Sequence, residues 1–252
     1  MRLTLLGTGN AAGMPVYGCY CARCSIIRKN SNLRRGPSCA LLEVNEKKYL
    51  IDAGLMDITE RFPAGNLEAI LLTHFHMDHV QGLFHLRWGK GKAIPVYCPN
   101  DSQGCDDLYK HPGILDFQPR KKFETFILDD LRVTPLPMIH SKVTFGYVFE
   151  FERQRIAYCT DTKDLPAKTY AYLENNPLDL LVIDTSSPAN VENPGHNNLN
   201  ETLAIHKRIK AKRTVLTHIG HELDIWLSQE ENQLPDSVTA GSDDLVVYPC
   251  PI

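Results

Sequence analysis

Six consecutive residues constrain this chain more than any other feature. His74-Phe75-His76-Met77-Asp78-His79 brings three imidazoles and a carboxylate directly behind the apolar run Leu67-Glu68-Ala69-Ile70-Leu71-Leu72-Thr73. The run reads as a buried strand, so the cluster sits where a strand ends and a loop begins. His74 and His76 point the same way across one residue, while Asp78 and His79 lie beyond the turn and face a second point. This spacing suits two adjacent metal ions rather than one. A set of surface histidines near a helix start would rarely put four ligand-type side chains into six residues behind a buried strand.

Size and charge narrow the setting. At 252 residues the chain has room for one large domain or two small ones, and with no linker or repeat in sight the expectation is one domain over 1–252. A formal net charge of -3 gives no electrostatic reason to expect nucleic-acid binding. Met1 to Leu6 runs straight into Gly7-Thr8-Gly9 as a strand and turn, without the pattern of a secretory leader. No apolar stretch approaches a membrane span. A cytoplasmic protein is expected. Eight cysteines do not form a disulfide framework on this reading: Cys19, Cys21 and Cys24 are crowded, while Cys39, Cys98, Cys105, Cys159 and Cys250 are scattered.

Strand-like runs recur at Leu41 to Ile51, Leu67 to Thr73, Ile94 to Cys98, Leu131 to Leu136, Phe145 to Phe151, Arg155 to Thr160, Leu178 to Ile183, Thr214 to Thr217 and Leu245 to Tyr248. Helices are expected over Asp78 to Trp88, Pro166 to Asn175 and Leu199 to Lys210, the last with Asn198 and Glu201 spaced as a capping box. Strand runs with interspersed helices point to a layered α/β protein. Three further ligand-type residues end β-like runs: His140 after Leu136-Pro137-Met138-Ile139, Asp161 after Ile156 to Thr160, and His218 after Thr214 to Thr217. Each alone is weak, but the recurrence is informative. Neutral imidazoles and carboxylates suit zinc, manganese or iron.

In this order of residues, His74, His76, Asp78, His79, then His140, Asp161 and His218, the chain resembles the metallo-β-lactamase superfamily over nearly its whole length. Asp52, in Leu50-Ile51-Asp52-Ala53-Gly54, matches that superfamily's early strand-end aspartate. The resemblance implies an αββα sandwich with a two-metal site along one edge. It implies that His74, His76 and His140 hold one metal, that Asp78, His79 and His218 hold the other, and that Asp161 bridges them. Two such cations can lower the pKa of a shared water and neutralise the oxygens of a phosphodiester under in-line attack. Secreted β-lactamases of the superfamily commonly present a cysteine to one metal. Here that position is Asp161 and the nearest thiol, Cys159, is two residues away, which argues against antibiotic hydrolysis.

Cys19-Tyr20-Cys21-Ala22-Arg23-Cys24 supplies three thiols for a structural zinc, which needs a fourth ligand. His221, three residues after His218, is the best candidate. If His218 faces the paired metals, His221 can face away and fasten the C-terminal region to the N-terminal loop. A redox role for the Cys21-x-x-Cys24 spacing fits less well, because no strand leads into it and Cys19 is superfluous to a redox pair.

Gly7-Thr8-Gly9, the Cys-x-Cys-x-x-Cys pattern and His74 to Gly89 together resemble the phosphoribosyl cyclic phosphate phosphodiesterases of the carbon–phosphorus lyase pathway (PhnP type). So do Gly104 to Leu108, His111-Pro112-Gly113, His140-Ser141-Lys142, Thr144 to Tyr147 and His218 to Trp226. That resemblance implies opening of 5-phosphoribosyl 1,2-cyclic phosphate to ribose 1,5-bisphosphate in phosphonate catabolism, on a small sugar-phosphate substrate. It further implies two Mn2+ (or Zn2+) in the paired site, one structural Zn2+ and a homodimer. It places the family's loop histidine at His196, in Pro194-Gly195-His196-Asn197-Asn198, as proton donor to the departing oxygen, with Asp78 also in the catalytic set.

Other activities use the same metals. A tRNA 3′-processing nuclease usually needs a basic RNA-gripping arm, and no Lys- and Gly-rich insertion is present. A thioesterase or lactonase is a further alternative. A non-catalytic binding protein should have lost some paired ligands, and none is missing.

Overall fold

The computed structural model describes residues 1–229, 231 and 233–249; Cys250 lies outside the described residues. Two seven-stranded mixed sheets form the centre. The first contains β1 (Arg2–Gly7), β2 (Cys39–Val44), β3 (Lys47–Ile51), β4 (Ala69–Leu71), β5 (Ile94–Pro99) and β6 (Leu115–Arg120). The second contains β7 (Phe126–Leu128), β8 (Leu131–Pro137), β9 (Phe145–Phe151), β10 (Gln154–Cys159), β11 (Leu180–Asp184), β12 (Arg213–Thr217) and β13 (Val238–Ala240). The last strand, β14 (Leu245–Val247), returns to the first sheet beside β1. Strand order is β14-β1-β2-β3-β4-β5-β6 in one sheet and β13-β12-β11-β10-β9-β8-β7 in the other.

Alternation along the strands builds three apolar layers. Leu3, Leu42, Tyr49 and Ile51 meet Val133, Tyr147, Phe149 and Tyr158 between the sheets. The opposite face of the first sheet, with Leu41, Leu50 and Ile70, is covered by α2 (Ile58–Arg61), α3 (Met77–Val80), α4 (Leu83–Leu86) and α5 (Asp106–Lys110). The second sheet's outer face, with Ala157, Leu181 and Ile183, is covered by α6 (Ala167–Asn175) and α7 (Leu199–Ile209). The result is the expected αββα sandwich. Two more helices flank the edge that carries the site: α1 (Ala22–Lys29) and α8 (His221–Leu227). No helix among the described residues is long and apolar enough to cross a membrane.

The structure revises several element boundaries. The single run Leu41 to Ile51 is a hairpin, because Asn45 and Glu46 both take positive φ (49° and 67°) and reverse the chain between Val44 and Lys47. The helix expected over Asp78 to Trp88 breaks into α3 and α4 at Gly82. There a Cβ would lie 2.3 Å from the carbonyl oxygen of Leu55, so glycine is what lets the segment pack this close to the β3–α2 loop. The α7 helix starts at Leu199 with the expected Asn198/Glu201 capping box and ends on Lys210 in the left-handed conformation. His206 on this helix is half-buried, its ring nitrogens 2.8 Å from Thr214 Oγ1 and 3.0 Å from Ser237 Oγ.

Candidate metal centre

β3 through β6 run parallel, as do β10 through β13, and this aligns the carboxyl ends of their strands along one edge. That edge is where α/β sheets present ligands to a site. Asp52 follows β3, His74 follows β4, His140 follows β8, Asp161 follows β10, Asp184 ends β11 and His218 follows β12. Asp52, Asp161 and His218 all adopt left-handed backbone, with φ of 59°, 54° and 57°. Each such residue costs on the order of 1 kcal/mol, and the turn swings the side chain inward from the strand end.

The predicted paired ligands come together in two adjoining groups. His74, His76, His140 and Asp161 form one, and Asp78, His79 and His218 form the other, with ligand atoms inside 4.8 Å in each. Asp161 touches both. Its Oδ1 lies 3.8 Å from His74 Nε2, 3.7 Å from His140 Nε2 and 3.4 Å from His218 Nε2, and its Oδ2 lies 3.3 Å from His79 Nε2. Asp78 Oδ2 is 3.3 Å from the same His79 nitrogen.

Hydrogen bonds behind the ligands set the imidazole tautomers. Thr73 Oγ1 donates to the Asp52 carboxylate (2.8 Å) and so accepts from His74 Nδ1 (3.0 Å), leaving His74 Nε2 as the lone-pair nitrogen. Asp52 Oδ2 likewise accepts from His79 Nδ1 (2.8 Å). Ser186 Oγ donates to the His218 carbonyl (2.8 Å) and accepts from His218 Nδ1 (2.8 Å). His140 Nδ1 faces the Gly195 carbonyl at 3.4 Å. Every one of these rings therefore turns Nε2, a lone pair, into the cluster. His76 presents Nδ1, 2.8 Å from His74 Nε2 and 3.1 Å from His140 Nε2. The Nε2 atoms of His79 and His218 are buried with no hydrogen-bond partner. Buried nitrogens without a partner beside a carboxylate are unfavourable unless a cation lies among them. The donor set fits two divalent metals.

Burial and the carboxylates pull these rings in opposite directions, and at His79 a proton supplies the positive charge that the carboxylates call for. Burial pushes His74 well below its ordinary range, reinforced by the charge of His79. Burial also pulls His79 down, but the Asp161 and Asp52 carboxylates outweigh it and hold the ring well above the imidazole range. For Asp161 burial acts upward and is overcome by His218, His79 and His74, so its carboxyl stays well below the usual carboxylate range. Cys159 is no part of this set. It is buried in the layer beneath α6 and α7, and burial pushes its thiol up to about 12.

His196 stands beside the pair. Its ring stacks on His218 with centroids 4.4 Å apart, and its Nδ1 is 2.7 Å from Asp184 Oδ2. Burial lowers its pKa, but the Asp184 hydrogen bond and charge reverse this and raise it. Asp184 also accepts from Thr162 N–H (2.9 Å). Sequence reasoning missed Asp184 and Ser186. The signal was available: Leu181-Val182-Ile183-Asp184 is an apolar run ending in aspartate, the same pattern as Leu50-Ile51-Asp52.

The second cluster forms as expected from Cys19, Cys21, Cys24 and His221. His221 Nε2 lies 3.3 Å from Cys21 Sγ and 3.6 Å from Cys19 Sγ. The Cys24 N–H points at Cys21 Sγ (3.4 Å), and with His221 it lowers the Cys21 thiol to about 6. A thiolate at neutral pH is the state a zinc ligand needs. Cys21 caps α1, while His221 opens α8. Asp224 on α8 binds Arg23 (2.6 Å) and Arg35 (2.7 Å), tying the loop to the helix beside the cluster.

A family model described as the beta-lactamase superfamily domain matches residues 47–219. The chain belongs to that superfamily. Its fold and paired His/Asp clusters are those of the metallo-β-lactamase fold, with a PhnP-type resemblance. The crystal structure of a diphosphatase from the PhnP family superposes with a TM-score of 0.82 at 29% identity, over 98% of this chain and 97% of that one. An octanoyltransferase of Porphyromonas gingivalis is 30% identical across 97% of this chain, which spans about half of that protein (51%). The anti-Pycsar protein Apyc1 of Paenibacillus harenae is 26% identical over 89% of this chain and 92% of its own length.

Proposed function

We propose that this chain is a metal-dependent phosphodiesterase that opens the five-membered ring of 5-phosphoribosyl 1,2-cyclic phosphate to ribose 1,5-bisphosphate. The observation that supports this most is the convergence of imidazoles on Asp161, with the Nε2 atoms of His79 and His218 buried and unpartnered beside it. In this reading His74, His76 and His140 hold one cation, Asp78, His79 and His218 hold the other, and Asp161 reaches both. Manganese suits this hard N/O set, and zinc suits Cys19, Cys21, Cys24 and His221. When bound, the pair lowers the pKa of water and neutralises phosphate charge.

The remaining work falls to side chains. Asp52, Thr73 and Ser186 hold the ligand rings in the tautomers described above. Asp78 is more open to solvent than Asp161 (16% against 3%), which suits it to orient incoming water. His196, its Nδ1 proton committed to Asp184, keeps Nε2 for donation to the departing sugar oxygen. The whole of residues 1–252 acts as one unit on a small sugar phosphate in this reading.

One observation favours a second reading: the PhnP-family structure at 29% identity is that of a diphosphatase. Phosphoanhydride hydrolysis would use the same ligands but a better leaving group, with less need of His196. The test is 31P NMR of manganese-loaded protein with the cyclic ribose phosphate and, separately, with an ADP-type diphosphate. Loss of the cyclic signal with growth of a 1-phosphate signal supports the first reading. Turnover of the diphosphate alone replaces it with the second, and turnover of neither, with both metals bound, overturns both.

A further inference from the structure

A cavity of about 560 Å³ opens on the first sheet, at the edge opposite the paired ligands. It lies at the amino ends of β4, β5 and β6, where Leu67, Glu68, Ile94 and Ile114 stand at or just before the strand starts. The paired ligands follow the carboxyl ends of the same strands. Along β4, roughly 20 Å of extended chain separates Glu68 at the cavity from His74 at the metal centre. No residue of either ligand cluster, and neither His196 nor Asp184, lines the cavity.

Local sequence shapes its walls. One wall is the turn after α2, where Asn66 N–H returns to the Pro63 carbonyl (3.0 Å) and Gly65 takes φ 81°. The other is the loop from Gly89 to Ala93 between α4 and β5, with Gly91 at φ 133°. A side chain at Gly65 or Gly91 would meet nothing within 4 Å, so both turns stand clear of the packed layers. The floor is tied together by Ile94 N–H on the Ile114 carbonyl (2.7 Å). The Ile114 side chain packs on Gly89, where a Cβ would lie 3.0 Å from its Cδ1.

The lining divides by chemistry. Phe62, Leu67 and Leu86 are buried below, with Ile94 and Ile114 half-buried beside them. Lys90 and Lys92 stand exposed on one wall, and Glu68 is the one carboxylate of the lining. Among the described residues, neither ammonium has a hydrogen bond or ion pair, with Glu68 or with any other group. Two ammoniums against one carboxylate leave the lining a net charge of +1. An apolar floor with a few charged groups at the rim is the make-up of a small-molecule site, and this volume falls in the range of such sites. The floor rewards burial of an apolar body, and a rim open to water takes an anion without a large desolvation cost.

We propose that this cavity binds a monocarboxylate with an apolar body, an acyl or aryl acid, at a site separate from the metal centre. Lys90 and Lys92 hold the carboxylate, and Phe62, Leu86, Ile94 and Ile114 cover the tail.

The test titrates full-length, zinc-loaded protein carrying methyl-labelled isoleucine with phenylbutyrate, phenylbutanol and phenylbutylamine, one apolar body with three head groups. Methyl NMR locates the binding: Ile94 and Ile114 line the cavity, while Ile139 precedes the metal-centre residue His140. Phenylbutyrate should shift Ile94 and Ile114 saturably and leave Ile139 in place. Phenylbutanol should bind about tenfold more weakly, and phenylbutylamine more weakly still. The double variant Lys90→Gln/Lys92→Gln should lower the affinity for phenylbutyrate to that for phenylbutanol, and leave phenylbutanol unchanged. Glu68→Gln should tighten phenylbutyrate by about two- to threefold. All three positions are exposed, so these changes leave the packed layers intact. No shift at Ile94 and Ile114, shifts at Ile139 alone, equal affinity for the acid and the alcohol, or acid binding undiminished in the double variant overturns the inference.

Discussion

The two ligand clusters of this molecule are built by opposite strategies. The paired cluster takes its residues from strand ends and the turns after them, spread between His74 and His218, and His74, His79 and His218 are each braced by a hydrogen bond from behind. The cysteine cluster takes three of its four residues from one six-residue segment and the fourth from the first residue of a helix. The first is a site that the fold has already organised. The second organises the fold, because the cluster and the Arg23–Asp224–Arg35 ion pairs fasten the Cys19 to Cys24 segment to α8. The two meet at His218-Ile219-Gly220-His221, where successive residues serve different clusters. Gly220 is needed there, since a Cβ would stand 2.5 Å from the Ser186 carbonyl oxygen.

This contrast predicts that losses at the first cluster remove chemistry and losses at the second remove order. The largest effect should follow Asp161→Ala, which deletes the carboxylate shared by both halves of the pair. Its kcat/KM should fall by about 10³-fold or more, around 4 kcal/mol of transition-state stabilisation, with far-UV circular dichroism unchanged. A variant that loses its fold would show that the pair is structural after all.

Next comes His196→Gln. Loss of a positioned acid costs roughly 10²–10⁴-fold, and the loss should appear in kcat for a sugar leaving group. It should nearly vanish for p-nitrophenyl esters, whose leaving group needs no proton. Equal losses on both substrates would move His196 from proton donor to architecture.

A smaller effect is expected for Asp184→Asn and for Asp52→Asn. Partners behind a ligand or an acid typically contribute about 10–100-fold. Asp184→Asn should copy the leaving-group pattern of His196→Gln, whereas Asp52→Asn should weaken metal retention, read by equilibrium dialysis. If both show one pattern, the division of labour between them is wrong.

The smallest effect on turnover belongs to Cys24→Ala. Activity at 25 °C should stay within severalfold of wild type, while Tm drops by roughly 4–8 °C, as for a loss of about 2 kcal/mol in a chain this size. Proteolysis should turn selective for residues 16–34. Abolished activity with an unchanged Tm would make the two clusters one functional unit.

Much of the paired site was legible because its ligands follow apolar runs, and a buried run that stops at His or Asp is visible in a linear sequence. Asp184 escaped because no other ligand-type residue lies close to it in sequence, and its role emerges only when His196 swings back to it from α7's leading loop. Ser186 and Thr73 act through hydroxyls that any buried strand end can contain. The edge strands β6 and β7 were also invisible: Leu-Asp-Phe-Gln-Pro-Arg and Phe-Ile-Leu lack sustained alternation, and edge positions tolerate proline and charge.

Metal content by mass spectrometry of the purified protein and two variants tests the separation of the clusters most directly. Wild type should hold three metals per chain, with zinc in one position. Asp161→Ala should keep only that zinc, and Cys24→Ala should lose only that zinc. Loss of all three metals in either variant, or a wild type with a single metal, would contradict two clusters built and filled independently.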